Sequence, residues 1–340
     1  MASSAGDTVD DYMRAQILER HIPGVSIGVV RNGKLVKAAG YGYANVECKS
    51  TATADSLYVI ASMTKAFTAA AIWILADEGK LSIQDPITKY IDDAPVAWKE
   101  ISVRQLLRHT SGIRNMPEQP NWDQTVRNDY TPEEIIKSIG AVPLDFTPGT
   151  QFHYSNTGYY LLAMIVQKTS GRSYEDFIRE RIFSPAGMVR TRVDSRSDVI
   201  PGRASAYYRS RSRGTLFNAE YFSPQQYLGA GCLLSSVKDL ARWEIALQNG
   251  KPFADTKTNP YGARMFDVAW GKTGDKDHRT IWTGGGLYGY TCSMIRFVDD
   301  HITVIVLTNF SEGAPDVIAR HIAGIYVPAL AEKERPSAEN

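Results

Sequence analysis

Residues 8–20 alternate apolar and polar side chains at helical spacing and predict a first helix. Residues 24–30 and 35–43 then read as two strands joined by a tight turn at Asn32-Gly33. The longest nearly uncharged stretch follows at 57–76, LYVIASMTKAFTAAAIWILA. It is long enough to span a bilayer. However, it carries Ser62, Thr64, Lys65 and Thr68 and runs into Asp77-Glu78. A central lysine is costly in hydrocarbon, so the stretch predicts a buried core helix beginning near Ser62 and not a membrane span.

Helix signals dominate from 80 to 255, with long connections containing Gly, Pro and Tyr. Ser82-Ile-Gln-Asp85 reads as a capping box that starts a short helix. Thr131-Pro132-Glu133-Glu134 reads as a second box, with Pro at the first helical position. An apolar helix is expected over 159–166, and Ser236-Val-Lys-Asp239 caps another running to about Gln248. After 279 the pattern returns to strands, at 279–283, 290–298 and 301–309. A closing amphipathic helix follows Pro315, with Val317, Ile318, Ile322 and Ile325 on one side. This order predicts an α/β (α+β) chain in which the terminal strands pair into one antiparallel sheet flanked by helices, with a mainly helical lobe beside it. The expected division is a discontinuous α/β domain over 1–79 and 256–340 and a helical domain over 80–255, with the active site in the cleft between them.

Composition narrows the function. With 340 residues, 43% of them hydrophobic and 22% charged, the chain can bury a large core and is neither disordered nor a coiled coil. Lys+Arg 38 against Asp+Glu 37 leaves no basic footprint for nucleic acid or an anionic membrane. The cysteines Cys48, Cys232 and Cys292 are too few and too far apart for a disulfide framework or a thiolate metal site. Cys232 and Cys292 lie in apolar segments and are expected as buried small hydrophobes. The six histidines show no H-E-x-x-H or paired-ligand spacing, so neither metal nor cofactor is expected. The opening MASSAGDTVDDYMRAQILERH has no basic start followed by an apolar run, which predicts a cytoplasmic chain or a trimmed mature form.

Ser62-Met63-Thr64-Lys65 carries the strongest chemistry. Residues three apart on a helix share a face, so the Ser62 hydroxyl and the Lys65 amine can meet. Lys65 is the only charge in the run, and burial drives an ammonium toward the neutral amine, a proton acceptor for a serine nucleophile. The spacing alone proves little: Ser62 as a helix cap with Lys65 reaching outward would show it too, and Ser235-Ser236-Val237-Lys238 repeats it in a capping segment rich in ordinary charges. Tyr154-Ser155-Asn156, in a turn-rich stretch, offers a phenol for proton transfer and an amide for substrate or for Lys65. Trp282-Thr283-Gly284-Gly285-Gly286 puts glycines in a strand, a sign of close backbone approach to a ligand or of a bulge.

In this order, S-x-x-K, Y-x-N and a [K/H/W]-x-G strand, the chain resembles the penicillin-recognising serine hydrolase superfamily, and within it class C β-lactamase-like proteins and family VIII carboxylesterases. Arg108-His-Thr-Ser-Gly-Ile113, Pro148-Gly149, Gly229-Ala-Gly231 and Leu234-Ser-Ser-Val-Lys-Asp-Leu240 extend the resemblance over residues 8 to 328. It implies the β-lactamase/transpeptidase-like fold, with Ser62 as acylated nucleophile and Lys65 and Tyr154 as its shared base. It also implies an oxyanion hole at the N–H groups of Ser62 and Gly285, with Asn156, Trp282 and Gly284 binding substrate. Trp stands where β-lactamases and D-Ala-D-Ala peptidases of the family carry Lys or His for a substrate carboxylate. It supplies a flat apolar wall with one donor, which resembles the W-x-G variant of family VIII esterases.

The expected function is therefore a cofactor-free carboxylesterase acting on a small-molecule ester. A β-lactamase, D-amino-acid peptidase or amidase with the same nucleophile is the alternative within the enzymes. A non-catalytic binding or assembly protein on the same fold is the alternative outside them. Gly24-Val-Ser-Ile-Gly28 matches G-x-S-x-G but lies inside a strand, where the motif needs a strand-to-helix turn, so Ser26 is expected to be structural. His109 with Ser111 is expected to fix a loop, His153 to take a surface or hydrogen-bonding role beside Tyr154, and the Tyr207-Tyr208 and Tyr288/Tyr290 pairs either to line a pocket or to pack.

Overall fold

The computed structural model describes residues 5–210, 214–250, 271–273 (backbone) and 278–331. Its strands in chain order are β1 (Gly24–Arg31), β2 (Lys34–Asn45), β3 (Ser50–Thr51), β4 (Tyr58–Val59), β5 (Arg192–Val193), β6 (Tyr207–Arg209), β7 (Leu216–Asn218), β8 (Leu233–Ser235), β9 (Gly271–Thr273), β10 (Thr280–Leu287), β11 (Tyr290–Phe297) and β12 (Ile302–Thr308). Seven of them form one antiparallel sheet in the order β3-β2-β1-β12-β11-β10-β9. The two ends of the chain meet at its centre, where β1 pairs with β12 from Val25↔Thr308 to Arg31↔Ile302.

Alternation along these strands divides the core. Val25, Ile27 and Val29 join Val304 and Val306 on one face, under Val9 and Met13 of the first helix (Ala5–Arg20) and Ile318 and Ile322 of the last (Pro315–Tyr326). Val30, Ile305 and Leu307 point to the other face and merge with the helical core. Both faces of β1 and β12 are thus covered, so nearly every residue in them is buried.

The run at 57–76 is a core element, as its lone lysine suggested. Ile60 accepts the Met63 N–H, a 3-10 turn covers Ala61–Met63, and the helix Thr64–Asp77 follows. Phe67 packs on Trp243 at 4.9 Å and edge-on to Phe183 at 5.6 Å. Among the described residues no helix is long and apolar enough to cross a membrane.

The caps at Thr131 and Ser236 form as expected, starting Pro132–Gly140 and Val237–Gln248. The second of these helices lies on the sheet, although its sequence stood within the helical insert. A Cβ added at Gly28 of β1 would sit 3.3 Å from Val237, and Glu244 accepts from Thr303 of β12 at 2.8 Å and pairs with Arg296 of β11. The Ser82 box is a correction: it closes a turn and starts no α-helix. The Ser82 N–H donates to Asp85 at 3.0 Å and the Gln84 N–H to the Ser82 hydroxyl at 3.2 Å. Pro86 is extended at ψ 139 and disfavours helix at the residue before it, so the chain leaves the turn outward. Ser102 and Gln105 form a reciprocal capping box, which the sequence reading missed, ahead of Val103–Leu107.

Candidate active site

Three separated segments converge on Lys65. The first is its own helix. Ala61, at φ 44, occupies the left-handed region that costs a β-carbon residue about 1–2 kcal/mol. That bend swings Ser62 into the entry turn. Ile60 on its inner side is held by the Leu233 carbonyl at 2.9 Å and by Cys292 Sγ at 3.1 Å. Lys65, one turn on, is 3% exposed, and its Nζ lies 3.1 Å from Ser62 Oγ.

The second segment carries Tyr154 and Asn156. Ser155 caps the helix Asn156–Ser170 by accepting the Gly158 N–H at 3.1 Å, and Asn115 Oδ1 takes the Asn156 N–H at 2.8 Å. Tyr154 sits just outside the cap with its Oη 2.6 Å from Ser62 Oγ, while Asn156 Oδ1 accepts from Lys65 Nζ at 2.7 Å. The third segment is Gly229-Ala230-Gly231, whose Ala230 carbonyl also accepts from Lys65 at 2.7 Å. Gly229 is required there: its φ is +69, and a Cβ would meet the Tyr159 carbonyl at 2.6 Å.

Burial drives the Lys65 amine well below the usual lysine range. A neutral amine has two N–H donors and one lone pair. The donors have two acceptor-only partners, Asn156 Oδ1 and the Ala230 carbonyl, so the lone pair is left for the Ser62 hydroxyl. Burial raises the Tyr154 phenol, partly offset by its bond to Ser62, so it rests protonated. Its O–H can then donate to Ser62 Oγ. Lys65 Nζ also lies 4.8 Å from the Tyr154 ring centre and 5.6 Å from that of Tyr159.

The beta-lactamase family matches residues 7–326. The chain belongs to the beta-lactamase family. Among curated relatives it is 30% identical to penicillin-binding protein 4* of Bacillus subtilis over 86% of this chain and 70% of that protein. It is 26% identical to protein flp of Staphylococcus aureus over 94% of this chain, spanning 66% of that relative's length. Among solved structures it is similar to the octameric penicillin-binding protein homologue from Pyrococcus abyssi, with TM-score 0.78, 28% identity, and 95% and 77% of the two chains covered. The D-amino acid amidase from Ochrobactrum anthropi SV3 shares the fold at TM-score 0.80, 22% identity, and 95% and 99% coverage.

In this member of the family, β10 packs directly on the Ser62 turn. A Cβ at Gly285 would lie 2.7 Å from Ser62 N and 3.0 Å from Ser62 Cβ. Trp282 and Gly284 correct the expectation of a wall beside the nucleophile. Directly paired residues in an antiparallel ladder share a face. Gly285 pairs with Cys292 and Thr283 with Met294, both in the core on the Ser62 side, whereas Trp282 pairs with Ile295, under the terminal helices. Trp282 is 41% exposed on that far face. Gly284 shares its face, and a Cβ there would meet the Cys292 carbonyl at 2.6 Å, so this glycine serves strand packing.

The remaining singled-out residues fall outside the converging set. Ser26 is buried in β1, donates to the Thr53 carbonyl at 2.8 Å and lies 3.0 Å from Tyr58 Oη. Lys238 pairs with Asp55 at 2.6 Å, and Ser236 caps its helix. Cys232 and Cys292 are buried. Tyr288 and Tyr290 line a cavity of about 340 Å³, Tyr208 stacks on Phe217, and Tyr207 is buried with its hydroxyl on Glu47. Among the described residues, Glu118, Asp145 and His153 bring single ligand atoms within 4.8 Å of one another, a grouping that sequence spacing did not reveal. It is largely exposed, and its carboxylates already face partners, Arg114 on Asp145 at 2.6 Å and His153 on Glu118 at 3.1 Å. The Ala230 carbonyl was also missed, since a backbone acceptor has no side-chain signature. The Gly-Ala-Gly run around it was the available pointer.

Proposed function

We propose that the chain is a serine carboxylesterase that cleaves small neutral esters through an acyl-enzyme on Ser62. The observation that carries the reading is the buried Lys65 amine, whose Nζ lies 2.7 Å from the carbonyl oxygens of Asn156 and Ala230 and 3.1 Å from Ser62 Oγ. Lys65 takes the Ser62 proton as Oγ attacks the ester carbonyl. The developing oxyanion lies between the N–H groups of Ser62 and Gly285, residues packed so closely that a Cβ at Gly285 would lie 2.7 Å from Ser62 N. Collapse breaks the ester C–O bond, and Tyr154 gives its proton to the departing alkoxide. The acyl-enzyme then holds a Lys65 ammonium near a Tyr154 phenolate, and the ring's approach to Nζ stabilises that pair. In deacylation the phenolate takes a proton from water, the hydroxide attacks, and Ser62 leaves with the Lys65 proton. All three groups return to their starting forms.

Ester substrates are favoured because Thr283, which shares the Ser62 side of β10 with Gly285, offers no cation to a substrate carboxylate. Amide hydrolysis, as in a β-lactamase or D-amino-acid peptidase, is the second reading. The names of penicillin-binding protein 4* and D-amino acid amidase among similar proteins favour it. A purely binding protein would have no use for a desolvated amine against a hydroxyl. Ser62→Ala should lower p-nitrophenyl ester turnover roughly a thousandfold or more. Tyr154→Phe should lower it by roughly a hundredfold to ten-thousandfold with the thermal midpoint kept. Full activity in Ser62→Ala would end the assignment, and nitrocefin or D-alanyl anilide turning over faster than the ester would move it to the amide reading.

A further inference from the structure

His109 surrounds the candidate phenol without touching the nucleophile. It is 7% exposed and holds the chain on both sides of Tyr154: its carbonyl accepts the His153 N–H at 2.9 Å and its Nδ1 accepts the Ser155 N–H at 3.0 Å. An Nδ1 that accepts leaves the proton on Nε2 and the ring neutral. The ring lies 4.6 Å from Tyr154 at 31° between planes and 5.2 Å from Tyr159 at 33°, with Phe152 edge-on at 5.8 Å. His109 is thus the floor on which the phenol rests, beside the rings that flank Lys65. Its backbone is left-handed at φ 57, a region that among residues with a side chain Asn, Asp and His enter most readily.

We infer that His109 is a positioning residue with two separable tasks: its Nδ1 sets the height of the Tyr154 backbone, and its neutral ring backs the phenol from the inside and keeps water from the lysine. The inference rests on the serine hydrolase reading of Ser62, Lys65 and Tyr154. A charged ring would defeat the second task, and burial pushes His109 down to about 3. Neutrality therefore persists through the ordinary working range.

Two variants separate the tasks. Asn tolerates the left-handed backbone, and its Oδ1 stands where Nδ1 stood, so His109→Asn keeps the anchor and removes the seal. Phe keeps a ring against Tyr154 and removes the acceptor, leaving the buried Ser155 N–H unpaired. The readout is the rate of covalent labelling of Ser62 by a fluorophosphonate as a function of pH, followed by intact mass and independent of which ester or amide is the substrate. In His109→Asn, water reaching Lys65 returns its pKa toward the ordinary value. The acid limb of labelling should therefore move to higher pH by about one unit, a roughly tenfold loss at a fixed pH on that limb. In His109→Phe the limb should stay while the plateau rate falls by roughly tenfold or more, the cost of a displaced phenol. A role in folding alone predicts lower thermal midpoints with neither limb nor plateau moved, and that result in folded His109→Asn would overturn the inference. Labelled wild type with an unmoved limb in the variant rejects the inference alone, whereas unlabelled wild type rejects the serine hydrolase reading and this inference with it.

Discussion

Replacing Asn156 by Asp changes one atom group and leaves shape and acceptor in place, yet it sets a carboxylate beside Lys65. In the native site Nζ donates to Oδ1 at 2.7 Å. At that separation and an effective dielectric of about 20, a full charge pair would attract by about 6 kcal/mol. The carboxylate is itself partly buried and would surrender about half of that to its own desolvation, leaving about 3 kcal/mol, or about two pK units on the lysine. The sign follows from the charges: a carboxylate favours ammonium, so the lysine pKa rises from its depressed value. The neutral, proton-accepting form then appears only at higher pH. The acid limb of kcat/KM for a p-nitrophenyl ester should move up by about two units, with a roughly hundredfold loss at a fixed pH on the limb and recovery on the alkaline side. Thermal unfolding of the variant checks that the fold survives. An acid limb that stays put, or one that moves to lower pH, would refute the assignment of Lys65 as the group that must be neutral.

The other predictions follow from the packing. Gly285→Ala places a methyl 2.7 Å from Ser62 N and 3.0 Å from Ser62 Cβ, so β10 and the Ser62 turn must part. Turnover should fall roughly a hundredfold, with about 1–3 kcal/mol lost in urea unfolding; unchanged turnover would show that the strand plays no part in the chemistry. Ser26→Ala removes bonds to Thr53 and Tyr58 and should cost about 1 kcal/mol of stability without slowing ester hydrolysis. Lys238→Ala should leave turnover unaltered, since its amine pairs with Asp55 and the Ser235 hydroxyl bonds Thr191. Inactivity in either of the last two would return G-x-S-x-G or the second S-x-x-K to contention.

What could be read from the sequence divides along physical lines. The terminal strands and helices were legible because alternation and helical periodicity report burial directly, and the lone lysine in 57–76 marked that run as core. The caps at Thr131 and Ser236 were legible because their chemistry is local. The box at Ser82 misled for the same reason: a Ser side chain accepting a nearby N–H closes a turn as readily as it starts a helix, and Pro86 decides which. Trp282 misled at the next level. Period-two alternation states that Trp282 and Gly285 lie on opposite faces, but which face meets Ser62 depends on the pairing of β10 with β11 and on the helices above it. The Ala230 carbonyl and the left-handed Ala61 left no trace in side-chain chemistry at all.

That division also explains why the candidate chemistry needs the whole fold. A lysine buried beside a carboxylate would keep its proton and be useless as a base. Here it is held by two neutral oxygens, from Asn156 and Ala230, 91 and 165 residues away along the chain. Those acceptors satisfy its N–H groups without supplying the negative charge that would restore the ammonium. The burial itself comes from packing Thr64–Asp77 among the helices and against the sheet that closes when the two ends of the chain pair. Loosening that packing should therefore raise the lysine pKa before it unfolds the protein, so reactivity at Ser62 is a more sensitive gauge of the fold than secondary structure content.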